Sequence, residues 1–177
     1  MRILRHLLAI LLLPFVMVVV VPRWFVLGQA ASDTRWHAGT AGAWLGPVAG
    51  ALLFLAGFAL FAWCVALFAG VGQGTLAPWD PTRRLVAVGP YRHMRNPMIT
   101  GVLAMIFAEA LFLGSWALAV WGATFFVVNQ AYFLMLEEPG LERRFGDDYR
   151  RYRAAVPRWL PRPTPWAGGD AAVAERR

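Results

Sequence analysis

The 177-residue chain has no lysine, a single cysteine and little charge of any kind. One cysteine, Cys64, excludes an internal disulfide and any cysteine-based zinc cluster. Only 15% of the residues are charged, against roughly 25% in soluble domains. With 59% hydrophobic residues and a mean hydropathy of +0.51, the composition excludes an ordinary soluble domain and reads as an integral membrane protein. The apolar runs contain no histidine and few polar groups, which leaves a haem protein or a small transporter without support. All 17 basic residues are arginine, giving a net charge of +7. They flank apolar runs and mark no basic groove, so a nucleic-acid partner is not expected.

What is present is a set of long apolar segments. Leu7 to Val21 is apolar, with Pro14 expected to kink it. A signal peptide is the alternative there, but the run continues through Arg23, Trp24 and Phe25 to Leu27, a poor cleavage region, so a first spanning helix is favoured. A polar connection, Gly28 to Gly42, follows. Trp44 to Phe68 carries no charge and is long enough to cross a hydrocarbon layer of ~30 Å; its Gly50, Ala51, Ala56 and Gly57 permit close helix packing. Met98 to Leu113 is a third apolar segment, with Glu109 inside it. Gly114-Ser115 is a tight turn, and Trp116 to Leu136 a fourth span with Asn129 and Gln130 embedded, ended by Glu137-Glu138-Pro139-Gly140. From Leu141 onward the chain is arginine-rich. Leu141, Phe145, Tyr149, Tyr152, Val156 and Trp159 recur at helical spacing, with Gly146 dividing the stretch and Asp147 placed to cap its second half. Such a stripe lies in the membrane interface or packs on neighbouring helices.

The expected architecture is therefore an all-α integral membrane protein. It has four transmembrane helices, a hairpin of helices three and four, and a cytoplasmic amphipathic C-terminal helix. With a cytoplasmic start, 15 of the 17 arginines fall on the inner side, which puts both termini in the cytoplasm, in an inner membrane. One domain is expected over residues 1–166, with a disordered tail over 167–177.

The densest polar segment is Gly89-Pro90-Tyr91-Arg92-His93-Met94-Arg95-Asn96-Pro97-Met98-Ile99-Thr100-Gly101, at the border between lipid and water. The two-residue turn makes helices three and four antiparallel neighbours. Counting outward from it sets Glu137 level with Arg92, Glu138 level with Tyr91, and Asn129 level with Thr100. The paired acids are thereby brought to the mouth of the hairpin, beside the arginines. Each residue also has a plainer role: the glutamates a salt bridge to Arg92 or Arg143, Arg95 a lipid phosphate, and Asn96 a cap on helix three ahead of Pro97. Gly72-Gln73-Gly74 either permits close backbone approach to a ligand or ends a helix.

The pattern Gly-Pro-Tyr-x3-Arg-Asn-Pro-Met, a hydrophobic hairpin, Glu-Glu-Pro, then Phe-Gly-x2-Tyr-x2-Tyr-x3-Val-Pro-Arg resembles the isoprenylcysteine carboxyl methyltransferase and phospholipid N-methyltransferase group of membrane enzymes. The resemblance covers the motif-bearing part, residues 72–161. It implies S-adenosylmethionine as methyl donor and methyl transfer to a lipophilic or membrane-associated acceptor at the cytoplasmic face. Carried over by position, the cofactor-binding residues are Arg95, Asn96, Pro97, Glu137 and Glu138, and more loosely Gly72 and Gly74; Tyr91 of the same segment is a further cofactor-binding candidate or an interface anchor, and Arg95 and Asn96 are the catalytic candidates. No metal is implied. The carboxyl methyltransferases usually have His where this chain has Asn96, and a Tyr is common at the position of Ile99; both departures bear on the acceptor. The alternative is a non-catalytic membrane protein whose arginine-rich face binds anionic lipid or a partner.

Overall fold

A computed structural model describes residues 14–24, 43–71 and 85–168 of the chain. The first half of the expected first span, the Gly28 to Gly42 connection, Gly72 and Gly74, and the tail beyond Gly168 lie outside the described residues. Those described are helical or irregular, with no strand among them.

Helix α1 occupies residues 14–24 and includes a turn of i→i−5 bonding over Val16–Val20. Helix α2 is Leu45–Val71, α3 is Pro97–Leu113 and α4 is Trp116–Tyr132. Among the described residues two helices are long and apolar enough to cross a membrane, Leu45–Leu67 and Trp116–Phe145; Pro97–Leu113 is apolar but shorter. Large apolar side chains stand exposed along both long helices, among them Leu52, Leu55 and Phe58 on α2 and Val120, Val127 and Val128 on α4. A soluble monomer rarely exposes so continuous an apolar surface, whereas lipid accommodates it.

The tightest packing is between α2 and α3. A Cβ added at Gly57 would lie 2.8 Å from the Gly101 carbonyl oxygen, and one at Gly101 would lie 2.8 Å from that of Gly57. The two backbones therefore touch where they cross, an approach that only glycine at both positions allows. Gly50 makes the same kind of contact against Ala108 and Phe112. Gly50 and Gly57 of the second span thus pack closely, as the sequence allows, and the partner is the third. Beside the crossing, Val18 of α1 packs with Val102, Met105 and Ile106 of α3, and Trp121 of α4 donates to the Met17 carbonyl at 3.2 Å.

The α3–α4 hairpin forms as expected. Gly114 ends α3 in the left-handed conformation, and the Ser115 hydroxyl caps α4 by accepting from Leu118 N at 3.2 Å.

Three expectations need correction. Glu137-Glu138-Pro139-Gly140 does not end the fourth helix. The chain passes through an i→i−5 turn, Phe133–Glu137, straight into α5, Glu138–Phe145. The Glu138 N–H bonds to the Phe133 carbonyl, and this wider turn makes room for Pro139, which would break a regular α-helix. Asp147 does not cap α6, Asp147–Ala155; Gly146 takes the cap position with φ 55° and ψ −125°, and Asp147 pairs with Arg150 instead. Trp159 leaves the amphipathic stripe. The helix ends at Ala155, and Trp159 turns to Phe126 and Phe133 and donates to Gln130 at 2.8 Å.

Candidate functional site

The polar segment is built against the C-terminal half of α2, beside Trp63 and Leu67. Gly89, at φ 55°, lies so close to Leu67 that a Cβ would come within 2.7 Å of its Cδ1. Pro90 then opens a single 3-10 turn, Gly89–Arg92. That turn drives Tyr91 into a buried cluster with Cys64 and Val86. Burial pushes the Tyr91 phenol well above its ordinary range, with Cys64 adding to the effect. Tyr91 thus faces protein rather than an open cleft, and its carbonyl accepts from the Tyr152 hydroxyl at 2.7 Å.

Arg95 and Asn96 follow at the corner where α3 begins. Pro97 is the first helical residue and is fully buried. Asn96 occupies the N-cap position, but its side chain makes no capping bond. The Asn96 carbonyl does the local work, accepting from Thr100 N at 3.0 Å and from Thr100 Oγ1 at 2.9 Å. Among the described residues its side-chain amide makes no capping bond.

Glu138 meets the arginines, as the hairpin count requires, although one helical turn from the level it gives. Its Oε1 accepts from Arg95 Nη1 at 2.6 Å and from Arg158 Nε at 2.8 Å. The three side chains are only 10–16% exposed. A buried carboxylate between two guanidiniums is held by direction as well as charge. Tyr149 of α6 lies within electrostatic reach of Arg95 and Glu138, and burial pushes its phenol up. One donor at this site stays uncommitted: Arg95 Nε is buried and has no hydrogen-bond partner among the described residues. Glu137 is half-buried and within electrostatic reach of Tyr91, Tyr149 and Glu138. Among the described residues it makes no ion pair.

Sequence reasoning missed the segment that lies over this corner. After Val156 the chain turns back and crosses residues 92–96 as a strap. Arg95 N donates to the Pro157 carbonyl at 2.9 Å and Asn96 N to that of Arg158 at 3.3 Å. Arg162 N donates to the His93 carbonyl at 3.0 Å, and His93 Nδ1 lies 2.8 Å from the Arg162 carbonyl. The only sequence signal was the Val-Pro-Arg that ends the motif series. The rest of the amphipathic stripe packs inward too: Tyr149, Tyr152 and Val156 join Ala87 in a buried cluster bordered by Leu141, Phe145 and Trp166. Tyrosines rather than phenylalanines at buried positions were the clue, because a buried hydroxyl needs a partner.

Asn129 and Gln130 make no contact with the corner through the bonds they form. Asn129 donates to the Phe125 carbonyl of its own helix, and Gln130 accepts from Trp159.

Comparison with known proteins adds an independent finding. The family model described as phospholipid methyltransferase matches residues 45–148, well over half of the chain. An uncharacterized protein of Haemophilus influenzae is 43% identical over 65 residues, which are 36% of this chain and the whole of that relative.

Proposed function

As a member of the phospholipid methyltransferase family, the chain is a membrane methyltransferase, and we propose that it transfers a methyl group from S-adenosylmethionine to a lipophilic acceptor at the cytoplasmic membrane face. One observation carries this reading: a buried, charge-rich corner in which, among the described residues, Arg95 Nε has no hydrogen-bond partner, Glu137 makes no ion pair and the Asn96 side chain makes no capping bond.

The groups available fit the donor. It offers a carboxylate, an ammonium, ribose hydroxyls and a purine, and the corner offers a free guanidinium N–H, a carboxylate and an amide. When bound, S-adenosylmethionine supplies a sulfonium methyl group for in-line displacement, and the protein has to align and enclose the reactants. Arg95 holds the donor carboxylate through Nε while Glu138 and Arg158 fix the guanidinium plane. Asn96 takes a ribose or purine edge, since its amide both donates and accepts. Glu137 accepts from a hydroxyl or the ammonium. Glu138 acts by positioning Arg95, Pro97 by fixing the start of α3, and Tyr91 by anchoring the turn that carries both. Gly72 and Gly74 are further cofactor-binding candidates, through the close backbone approach that glycine permits.

Around this site we place one domain over residues 1–166, four spans and both termini in the cytoplasm. The acceptor enters from the bilayer and the donor from the cytosol, which is why the charged corner stands at an end of apolar helices. Calorimetric titration of the purified protein in lipid with S-adenosylmethionine tests the proposal. We expect saturable binding that Arg95→Ala and Glu137→Gln weaken, and a labelled lipid product with labelled donor. A folded protein that binds no donor overturns it.

A further inference from the structure

Arg158 and Trp159 are neighbours on the strap, their Cα atoms ~3.8 Å apart, yet they grip two distant points of the rod formed by α4 and α5. Arg158 Nε donates to Glu138 at 2.8 Å, in the charged corner. Trp159 Nε1 donates to Gln130 Oε1 at 2.8 Å, and its ring lies 4.9 Å from that of Phe126 and 5.7 Å from that of Phe133. Gln130 precedes Glu138 by eight residues, about 12 Å along a helix. The indole therefore reaches away from the corner, along the apolar part of α4, where Val127 and Val128 stand exposed. An amide in an apolar span is costly without a partner, and the partner of Gln130 comes from the strap. One tether would let the strap pivot, whereas two tethers set so far apart fix how it is turned. The backbone bonds to residues 92–96 hold the strap unequally: Asn96 N to the Arg158 carbonyl, at 3.3 Å, is longer than those at Pro157, Arg162 and Trp166. The longest bond is the weakest, and it falls at the residue next to the Trp159 tether.

We propose that Trp159 is a positioning residue for the Arg95 corner, acting as a latch on Gln130. Pinned there, it holds the peptide between residues 158 and 159 so that Arg158 stays on Glu138. Glu138, shared between Arg158 and Arg95, then keeps the Arg95 guanidinium in one plane. Released, the strap turns, Arg158 exchanges Glu138 for water, and Arg95 gains freedom that a ligand must remove again on binding. Trp159 itself touches no reacting group. This role rests on the donor site proposed above, and it gives a side chain on the apolar stretch of α4 control over affinity at the charged end.

The test uses the full-length protein in one detergent, with Trp159→Phe, which keeps a ring and loses the N–H, Gln130→Leu, which loses the acceptor, and the double variant. Trp121→Phe, which loses a bond to the Met17 carbonyl far from the strap, controls for a purely structural effect. Hydrogen exchange reads the amides of Arg95 and Asn96, and calorimetry reads affinity for S-adenosylmethionine. We expect each single variant to exchange several-fold faster over residues 92–96 and to bind the donor about threefold to tenfold more weakly. The double variant should be no worse than either single one, because all three lose the same bond. Trp121→Phe should lower the melting temperature and leave both readouts unchanged. Parent-like donor affinity in folded Trp159→Phe or Gln130→Leu overturns the positioning role, and additive losses in the double variant overturn the latch. A parent protein that binds no donor overturns the donor site instead. The exchange measurement then still decides the latch, which unchanged exchange in both single variants would overturn; if Trp159→Phe does not fold, Gln130→Leu decides alone.

Discussion

Arg92 and Trp166, 74 positions apart, are joined by two reciprocal bonds: Trp166 N donates to the Arg92 carbonyl at 3.0 Å, and Arg92 Nε donates to the Trp166 carbonyl at 2.7 Å. The strap is thus closed at its far end, as Arg95 and Asn96 close it at the near end. Because most of these bonds are between backbones, the strap holds the shape of residues 92–96 with little dependence on side chains. A chain ended after Val156 is expected to keep the α2–α3 crossing and the α3–α4 hairpin, yet to lose S-adenosylmethionine affinity by at least ~10-fold as the Arg95 corner loosens. Calorimetry checks the affinity and circular dichroism the helices. Trp166→Ala should be far milder, since it removes the ring packed 5.2 Å from Tyr152 but none of the backbone bonds. A ring pair of this kind is worth ~0.5–1.5 kcal/mol beyond its buried area.

The Arg95–Glu138–Arg158 cluster predicts an order of damage. Glu138→Gln leaves two buried guanidiniums without their shared counter-charge. Breaking a buried pair by removing one partner costs ~3–5 kcal/mol. Arg158→Ala removes one guanidinium but leaves Glu138 bonded to Arg95, so it should cost less. Thermal unfolding in one detergent should rank Glu138→Gln below Arg158→Ala and both below the parent protein. The reverse ranking would mean that Arg158, rather than Glu138, is the centre of the cluster.

The meeting of Glu138 with the arginines was legible because a two-residue turn leaves helices little choice of neighbour. The partner was one turn away from the counted level, at Arg95 instead of Tyr91. Counting assumes an unbroken 3.6-residue helix, whereas Phe133–Glu137 bonds i→i−5 and so displaces the next turn by roughly one residue, which accounts for part of the offset. The close approach of Gly57 was legible from the small residues around it, but its partner Gly101 was not, because spacing along one helix carries no register with another. The strap was illegible for a different reason. Its bonds run through backbone groups that every residue possesses, and its prolines and tryptophans show no periodicity. Residues 72–84, with Gly72 and Gly74, lie outside the described part, so the structure adds nothing to that part of the sequence reading.

Two glycines should respond to alanine in opposite directions. At Gly101 a methyl group would lie 2.8 Å from the Gly57 carbonyl and 3.0 Å from Phe61 N, both backbone atoms that cannot swing aside. Gly101→Ala is therefore expected to cost ~1–3 kcal/mol by overpacking. At Gly140, inside α5, nothing lies within 4 Å of the added atom. Gly140→Ala should stabilise by ~0.5–1 kcal/mol, through helix propensity alone. Paired melting curves decide both. If Gly101→Ala melts like the parent, the two backbones do not touch at the α2–α3 crossing.

Tyr149 and Tyr152 sit on one turn of α6, and removing their hydroxyls should separate stability from ligand binding. Burial raises both phenols above their ordinary range, so each remains a neutral hydroxyl at physiological pH. The Tyr152 hydroxyl bonds a buried carbonyl, that of Tyr91, which Tyr152→Phe would leave unsatisfied at a cost of ~1–3 kcal/mol. That bond lies behind the site, so the loss should appear in melting temperature with donor affinity nearly intact. The Tyr149 hydroxyl lies within electrostatic reach of Arg95 itself. Tyr149→Phe frees the guanidinium to swing away from the orientation that Glu138 and Arg158 impose, so donor affinity should fall along with stability. Calorimetry on folded samples of both variants reads the difference. Equal donor affinities would show that Arg95 is oriented by Glu138 and Arg158 alone, and that the phenol adds only to the core.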